Sequence, residues 1–185
     1  MKKPLKIFIS FIGVVVLLIV IAPFAFYYLT GVNYFAIAKT YNKSEIKENA
    51  KVYSTEQPLL IKKEFFEEYG KGHFPKYKIY NQDKARVNTY ACYESLPELP
   101  EIIKKDRSRI IEGDAFETEI AKARLINGTP LANIFVPNKY NMIFYYKNAM
   151  NRIQQKQLNN ILTGNLGDFK DSLHVIYVNV DLTDF

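Results

Sequence analysis

The side chains best suited to covalent or metal chemistry are scarce: one cysteine, Cys92, and two histidines, His73 and His174. A Cys–His nucleophile needs the thiol and an imidazole in contact, so that the ring can take the proton. Cys92 lies inside the strand-like run NTYACYES, where a lone cysteine ordinarily serves as a small buried hydrophobe. No intrachain disulfide can form, and no multi-cysteine metal set is available. His73 follows a glycine in the loop-like GKGHFP, and His174 opens an apolar strand pattern. Carboxylate pairs occur at Asp114 with Glu117 and at Glu117 with Glu119. Paired acids do proton-transfer work only where a cleft shifts their pKa, and Asp114 with Glu117 also reads as a capping-box-like helix start. G-x-S-x-G, H-E-x-x-H, P-loop and G-x-G-x-x-G patterns are all lacking. No catalytic residue, cofactor or metal ligand is assigned.

The 185 residues are 48% hydrophobic and 24% charged, the composition of a folded chain with room for one domain. Lys2, Lys3 and Lys6 supply half of the net charge of +6. The remaining charges are mixed in sign, as in KKDRSRIIEGD. A nucleic-acid binder clusters its cations on one element, so no nucleic-acid partner is expected.

No charged residue stands between Lys6 and Lys39. Ile7 to Leu29, 23 residues, spans about 34 Å as a helix, against about 30 Å of bilayer hydrocarbon. Pro23 is tolerated in such a helix. Ile7, Phe11, Val15, Leu18 and Ile21 are its membrane-facing residues, and Tyr27 and Tyr28 fall at the interfacial aromatic belt. A cleavable leader has a shorter apolar core, about 7–15 residues. The Ala36-Ile37-Ala38 triplet lies nine residues beyond Leu29, so an uncleaved signal-anchor is expected. Cleavage after Ala38, which would release a soluble domain, is the alternative. The lysines abutting the span keep the amino terminus inside, placing the rest outside the membrane, in the periplasm of a Gram-negative cell. The expected division is a tail and anchor over 1–30, a stalk over 31–43 and an extracytoplasmic domain over 44–185.

In that domain Ile46, Ala50 and Tyr53 share a helical face. PLLIKKEFFEEYG reads as a helix from Pro58 to Gly70. Two strands follow around an Asn81-to-Lys84 turn, the second with Ala85, Val87, Thr89, Ala91 and Tyr93 on one face and Arg86, Asn88, Tyr90 and Cys92 on the other. Helices are expected over 101–111 and from Asp114 to Asn127-Gly128, and a strand from Leu131 to Val136. Met142, Tyr146, Ala149 and Ile153 carry helical spacing on to Gly164, although IFYY also fits a strand. LHVIYVNVDL alternates with both faces apolar and reads as an interior strand. The fold class expected is α+β: a mostly antiparallel sheet with helices on one face.

Fourteen tyrosines and no tryptophan leave two readings. Tyrosine is enriched in interfaces, and it is equally at home in a core when its hydroxyl finds one partner. Tyr77, Tyr80, Tyr90, Tyr93 and Tyr145 are the candidate interface residues. Asn42-Lys43-Ser44 and Asn127-Gly128-Thr129 match the glycosylation sequon. The chain is therefore expected to be a single-pass membrane protein. It would hold the bilayer through residues 7–29 and display a non-enzymatic domain that binds another protein or an envelope component, as an assembly subunit or an immunity-type inhibitor does. An anchored hydrolase or transferase using an unfamiliar carboxylate or Cys92 site is the competing reading.

Overall fold

Seven consecutive residues, Tyr140 to Tyr146, form a strand in which every side chain is buried. Such a strand needs neighbours on both edges and cover on both faces, and the architecture follows from supplying them. The structure is a computed structural model and describes residues 3–30, 39–53, 58–70, 74, 76–91, 103, 110–129, 131, 133–148, 150, 152–160 and 169–185. The chain forms two units. One holds helix α1 (Lys3–Thr30); the other holds the strands found among the described residues. Between Ser10 and Leu29, α1 is long and apolar enough to cross a membrane by length and composition, and none of that stretch is buried.

After α1 the chain runs α2 (Lys43–Ala50), β1 (Leu59–Ile61), α3 (Phe66–Tyr69), β2 (Lys76–Tyr80), β3 (Arg86–Ala91), α4 (Phe116–Ile120), β4 (Ala123–Leu125), β5 (Tyr140–Tyr146), α5 (Arg152–Asn160) and β6 (Leu173–Asn179). The six strands make one sheet in the order β3-β2-β5-β6-β1-β4. It is mixed. β2 is antiparallel to β3 and β5, and β1 is antiparallel to β4. β6 is parallel to both β5 and β1. A parallel pair needs a crossover between its strands, and α5 lies in the β5–β6 connection.

The expectation that helices cover one face is corrected: apolar packing covers both. On one face Tyr77, Ile79, Met142, Phe144 and Tyr146 meet Tyr53, Leu158 from α5 and Phe169. On the other, Ile143, Tyr145, Ile176 and Val178 meet Tyr69 from α3 and Phe116 and Ile120 from α4. Tyr53 stacks obliquely on Tyr146 and Tyr177, with ring centroids 4.1 and 4.9 Å apart.

Local signals explain the elements. Asn42 caps α2: its side chain accepts from the Glu45 N–H while the Glu45 carboxylate accepts from the Asn42 N–H, a full capping box. Ile46 and Ala50 are buried as their spacing predicts. Tyr41, expected in a stalk, is instead buried and bridges in parallel to Thr183. The hairpin β2–β3 and the interior strand β6 lie where alternation places them.

Four expectations give way to tertiary context. Leu59–Ile61 is a strand, not a helix start, because its three residues are buried between β6 and β4; helix begins only after it, as a 3-10 turn (Lys63–Phe65) leading into α3. Tyr140–Tyr146 is a strand because a centre buried on both faces reads as a continuous apolar run that mimics helical spacing; helix resumes at Arg152. Among the described residues of 131–136 there is no strand. The segment is held instead by Asn141, whose amide accepts from the Val136 N–H and donates to the Val136 and Lys139 carbonyls, each at 3.0 Å. Nor does Asp114 cap α4, whose N-cap is Ala115 without a side-chain bond. The predicted helix ends early, Asn127-Gly128 being a turn after β4 in which Gly128 takes φ +83°. The helix expected over 101–111 lies largely outside the described residues.

Phe144 is fully buried in the centre of β5. Phe144→Ala is expected to destabilise the folded unit by about 3–5 kcal/mol, whereas Val52→Ala at an exposed site changes it by about 0.5 kcal/mol or less. Urea unfolding of the full-length protein in detergent, followed by far-UV circular dichroism, measures both.

Candidate functional site

Glu119 sits on the inward face of α4, between Phe116 and Ala123 of the apolar stripe, and its side chain has no exposed surface. An unpaired carboxylate in that position would be too costly to keep ionised. Four other side chains supply what it lacks. Its Oε1 accepts from the Tyr69 hydroxyl of α3 at 2.7 Å, from Lys78 Nζ of β2 at 2.5 Å, and from the Tyr145 hydroxyl of β5. Its Oε2 accepts from Lys122 Nζ at 3.2 Å. Lys122 also donates to Asp114 Oδ2 at 2.8 Å and to the Tyr69 oxygen at 2.9 Å, and Lys78 donates to the same oxygen at 3.0 Å. Two ammonium groups thus balance two carboxylates around two phenols.

This geometry settles the protonation states. Burial pushes the Glu119 pKa up, but the hydrogen bonds from Lys78, Tyr145 and Tyr69 and the charge of Lys78 hold it below its ordinary value. Burial raises the Tyr69 and Tyr145 phenols well beyond their usual range, and the neighbouring Glu119 charge raises them further. Lys122 loses some basicity to burial and regains more from Asp114 and Glu119, for a net rise. A carboxylate held ionised, with its oxygens occupied and its neighbours fixed as donors, is a poor proton acceptor. The cluster ties α3, α4, β2 and β5 together and fixes the rotation of α4.

The flank of α4 borders a groove of about 810 Å³. Buried Phe116, Ile120 and Ala123 form its floor, while the partly exposed Leu131, Ile134 and Phe135 form a wall. Phe116 and Phe135 meet edge to face, 5.0 Å between centroids. Lys62, Lys63, Lys84 and Arg124 stand at the rim with two carboxylates, Glu64 and Glu117. Lys84 is ion-paired to Glu117 and lies over the Phe135 ring at 5.3 Å.

The expected site residues divide sharply. Tyr77, Tyr80 and Tyr145 are corrected from interface to core, all at 2% exposure or less. Their rings fill the two sheet faces, and the Tyr145 hydroxyl is taken by Glu119. The ring of Tyr90 and all of Tyr93 lie outside the described residues, as do His73 and Cys92. His174 is half-buried and hydrogen-bonded to the backbone of Ile134; burial lowers its pKa. Of the carboxylate pairs, Asp114 and Glu117 each find a lysine instead of one another. Along α1, Phe11, Val15, Leu18, Ile21, Tyr27 and Tyr28 all present exposed side chains, and Ile7 lies in the same helix. Among the described residues no group of three or more His, Cys, Asp or Glu could hold a metal.

Sequence reasoning missed the centre of the cluster. The available signal was Glu119 itself: in a helix whose apolar stripe runs through Phe116, Ile120 and Ala123, position 119 shares the buried face, and a charge there demands buried partners. No protein-family model, curated protein or solved structure matches the chain, so the site is interpreted from its own residues.

Because Glu119 is more acidic in the folded chain than in the unfolded one, its stabilising contribution is complete above about pH 4.5 and is lost as pH falls through the lowered folded value. Glu119→Gln is expected to cost about 3–5 kcal/mol at pH 7 and to flatten stability against pH on the acid side. Glu117→Gln, in a solvent-exposed pair, costs about 1 kcal/mol or less. Urea midpoints measured from pH 7 to 3 compare the two variants with the parent protein.

Proposed function

We propose that the chain is a single-pass membrane protein that uses α1 as an uncleaved anchor and displays its α+β unit outside the membrane to bind another protein or an envelope component, without catalysing a reaction. The observation that carries this reading is α1: a 28-residue helix with Phe11, Leu18, Ile21 and Tyr28 exposed. In water such a surface is unfavourable by about 25 cal/mol per Å², whereas in a bilayer it matches its solvent. Lys2, Lys3 and Lys6 support an inside amino terminus.

The second half of the proposal draws on how the domain uses its polar groups. The buried carboxylate that would be the natural acid–base candidate is held ionised and enclosed. The groove outside it is walled by apolar side chains and rimmed by charge, the lining of a recognition surface. An envelope-assembly subunit and an immunity-type inhibitor are two forms of such a protein, and both use a binding face on a tethered domain.

Full-length protein expressed in its host is expected to remain in the membrane pellet after an alkaline wash and to give an intact mass of 21.5 kDa. External protease acting on cells whose outer layers have been opened, with the inner membrane intact, should remove the domain and leave the anchor. A soluble species lacking the first 38 residues would refute the anchored reading.

A further inference from the structure

We propose that the groove between α4 and Leu131, Ile134 and Phe135 is the docking site for an acidic segment of a partner protein, one that places an apolar side chain against the partly exposed Leu131, Ile134 and Phe135 and carboxylates against Lys62 and Lys63. This deepens the binding role proposed above and rests on it.

Three observations point to that occupant. The groove, at about 810 Å³, falls within the size range of ligand clefts, about 300–1,000 Å³. Its walls carry aromatic and branched apolar groups, of which Leu131, Ile134 and Phe135 remain partly exposed. Apolar walls of this kind select an apolar anchor over a small hydrophilic ion. The rim then sets the sign of the charge: four cations stand against two carboxylates. Lys84 and Glu117 neutralise one another, and Arg124 donates to the Phe185 carbonyl oxygen at 2.9 Å. Lys62 and Lys63, adjacent on the chain between β1 and α3, have no ion-pair partner among the described residues. Complementary charge at a rim sets partner choice and encounter rate more than raw affinity, so the pairing should be sensitive to salt.

The groove is also preformed. Glu119 points inward from α4 to the buried cluster, while Glu117 and Ala121 of the same helix and its last turn are exposed at the groove. The tie that fixes α4 on the sheet therefore fixes one side of the site. The other side is held by Asn141, which clamps the backbone of Val136. A partner segment meets a surface whose shape is set before it arrives, and this lowers the ordering cost of binding.

The test uses full-length protein in nanodiscs of neutral phosphatidylcholine and a fluorescein-labelled synthetic peptide of alternating glutamate and leucine, read by anisotropy. Saturable binding is expected, weakened about tenfold by the double change Lys62→Glu and Lys63→Glu and by raising the salt to about 1 M. Ala121→Trp, at an exposed position on the groove wall, should abolish binding while leaving the urea midpoint unchanged. The same peptide with lysine in place of glutamate should not bind. Binding that ignores all these changes, or a parent protein that fails to bind at about 1 mM, overturns the proposal. So does the absence of peptide binding alongside capture of phosphatidylglycerol vesicles that depends on Lys62 and Lys63, since the occupant would then be a lipid surface. Failure here with the protein still resistant to alkaline wash removes the groove and leaves the anchored reading standing; loss of the protein from the membrane removes the anchored reading itself.

Discussion

A strand buried on both faces constrains everything built around it. Each backbone N–H and C=O of β5 needs a ladder partner, so β2 must flank one edge and β6 the other. Each of its side chains must meet cover, so the even positions from Tyr140 to Tyr146 draw in Tyr53, Leu158 and Phe169, and the odd positions draw in α3 and α4. The mixed pairing follows from connectivity. β2 and β5 lie antiparallel across a long excursion through β3, α4 and β4, while the parallel step from β5 to β6 passes through α5.

Burying the odd face of β5 has one awkward consequence. Its neighbour β2 points Lys78 toward the same layer, and Tyr145 brings a hydroxyl into it. Glu119 resolves both at once, accepting from the ammonium and the phenol, with Tyr69 and Lys122 filling the remaining bonds. A fully satisfied buried network of this sort fixes one arrangement where apolar packing alone would accept several. Its position on α4 gives the network a wider role, because the helix that it orients also borders the groove. Stability and the proposed recognition surface are thus linked through a single short helix.

The sequence disclosed those elements whose local signals agree with their surroundings. The Ile46–Ala50 face, the β2–β3 hairpin and the alternation of β6 were all legible, as was the length of the apolar helix. What misled was burial on two sides. Tyr140–Tyr146 and Leu59–Ile61 carry no polar face to reveal a period of two, so the first joined a helical pattern with Ala149 and Ile153, and the second joined α3. Tyrosine misled in the same way. Its hydroxyl marks it as amphipathic, but Tyr77, Tyr80 and Tyr145 put the ring into the core, and Tyr145 finds its partner 26 residues away, in a glutamate from another element. Long-range pairing of that kind is invisible to local spacing, and so the cluster around Glu119 could be read only as a charge out of place on an apolar stripe.

The central claim is that the aromatic and charged chemistry of the folded unit is directed inward, leaving the groove as its outward feature. Spectrophotometric titration of the tyrosines in the full-length protein tests this most directly. Tyr53, Tyr69, Tyr145 and Tyr146 have phenols raised first by burial. They favour the folded state below the unfolded phenol value near pH 10 and withdraw that support as pH rises further. The account predicts that a group of tyrosines stays protonated past the ordinary phenol range and ionises only together with loss of the circular dichroism signal. Ionisation of all fourteen in one wave near pH 10, with the fold intact, would contradict it.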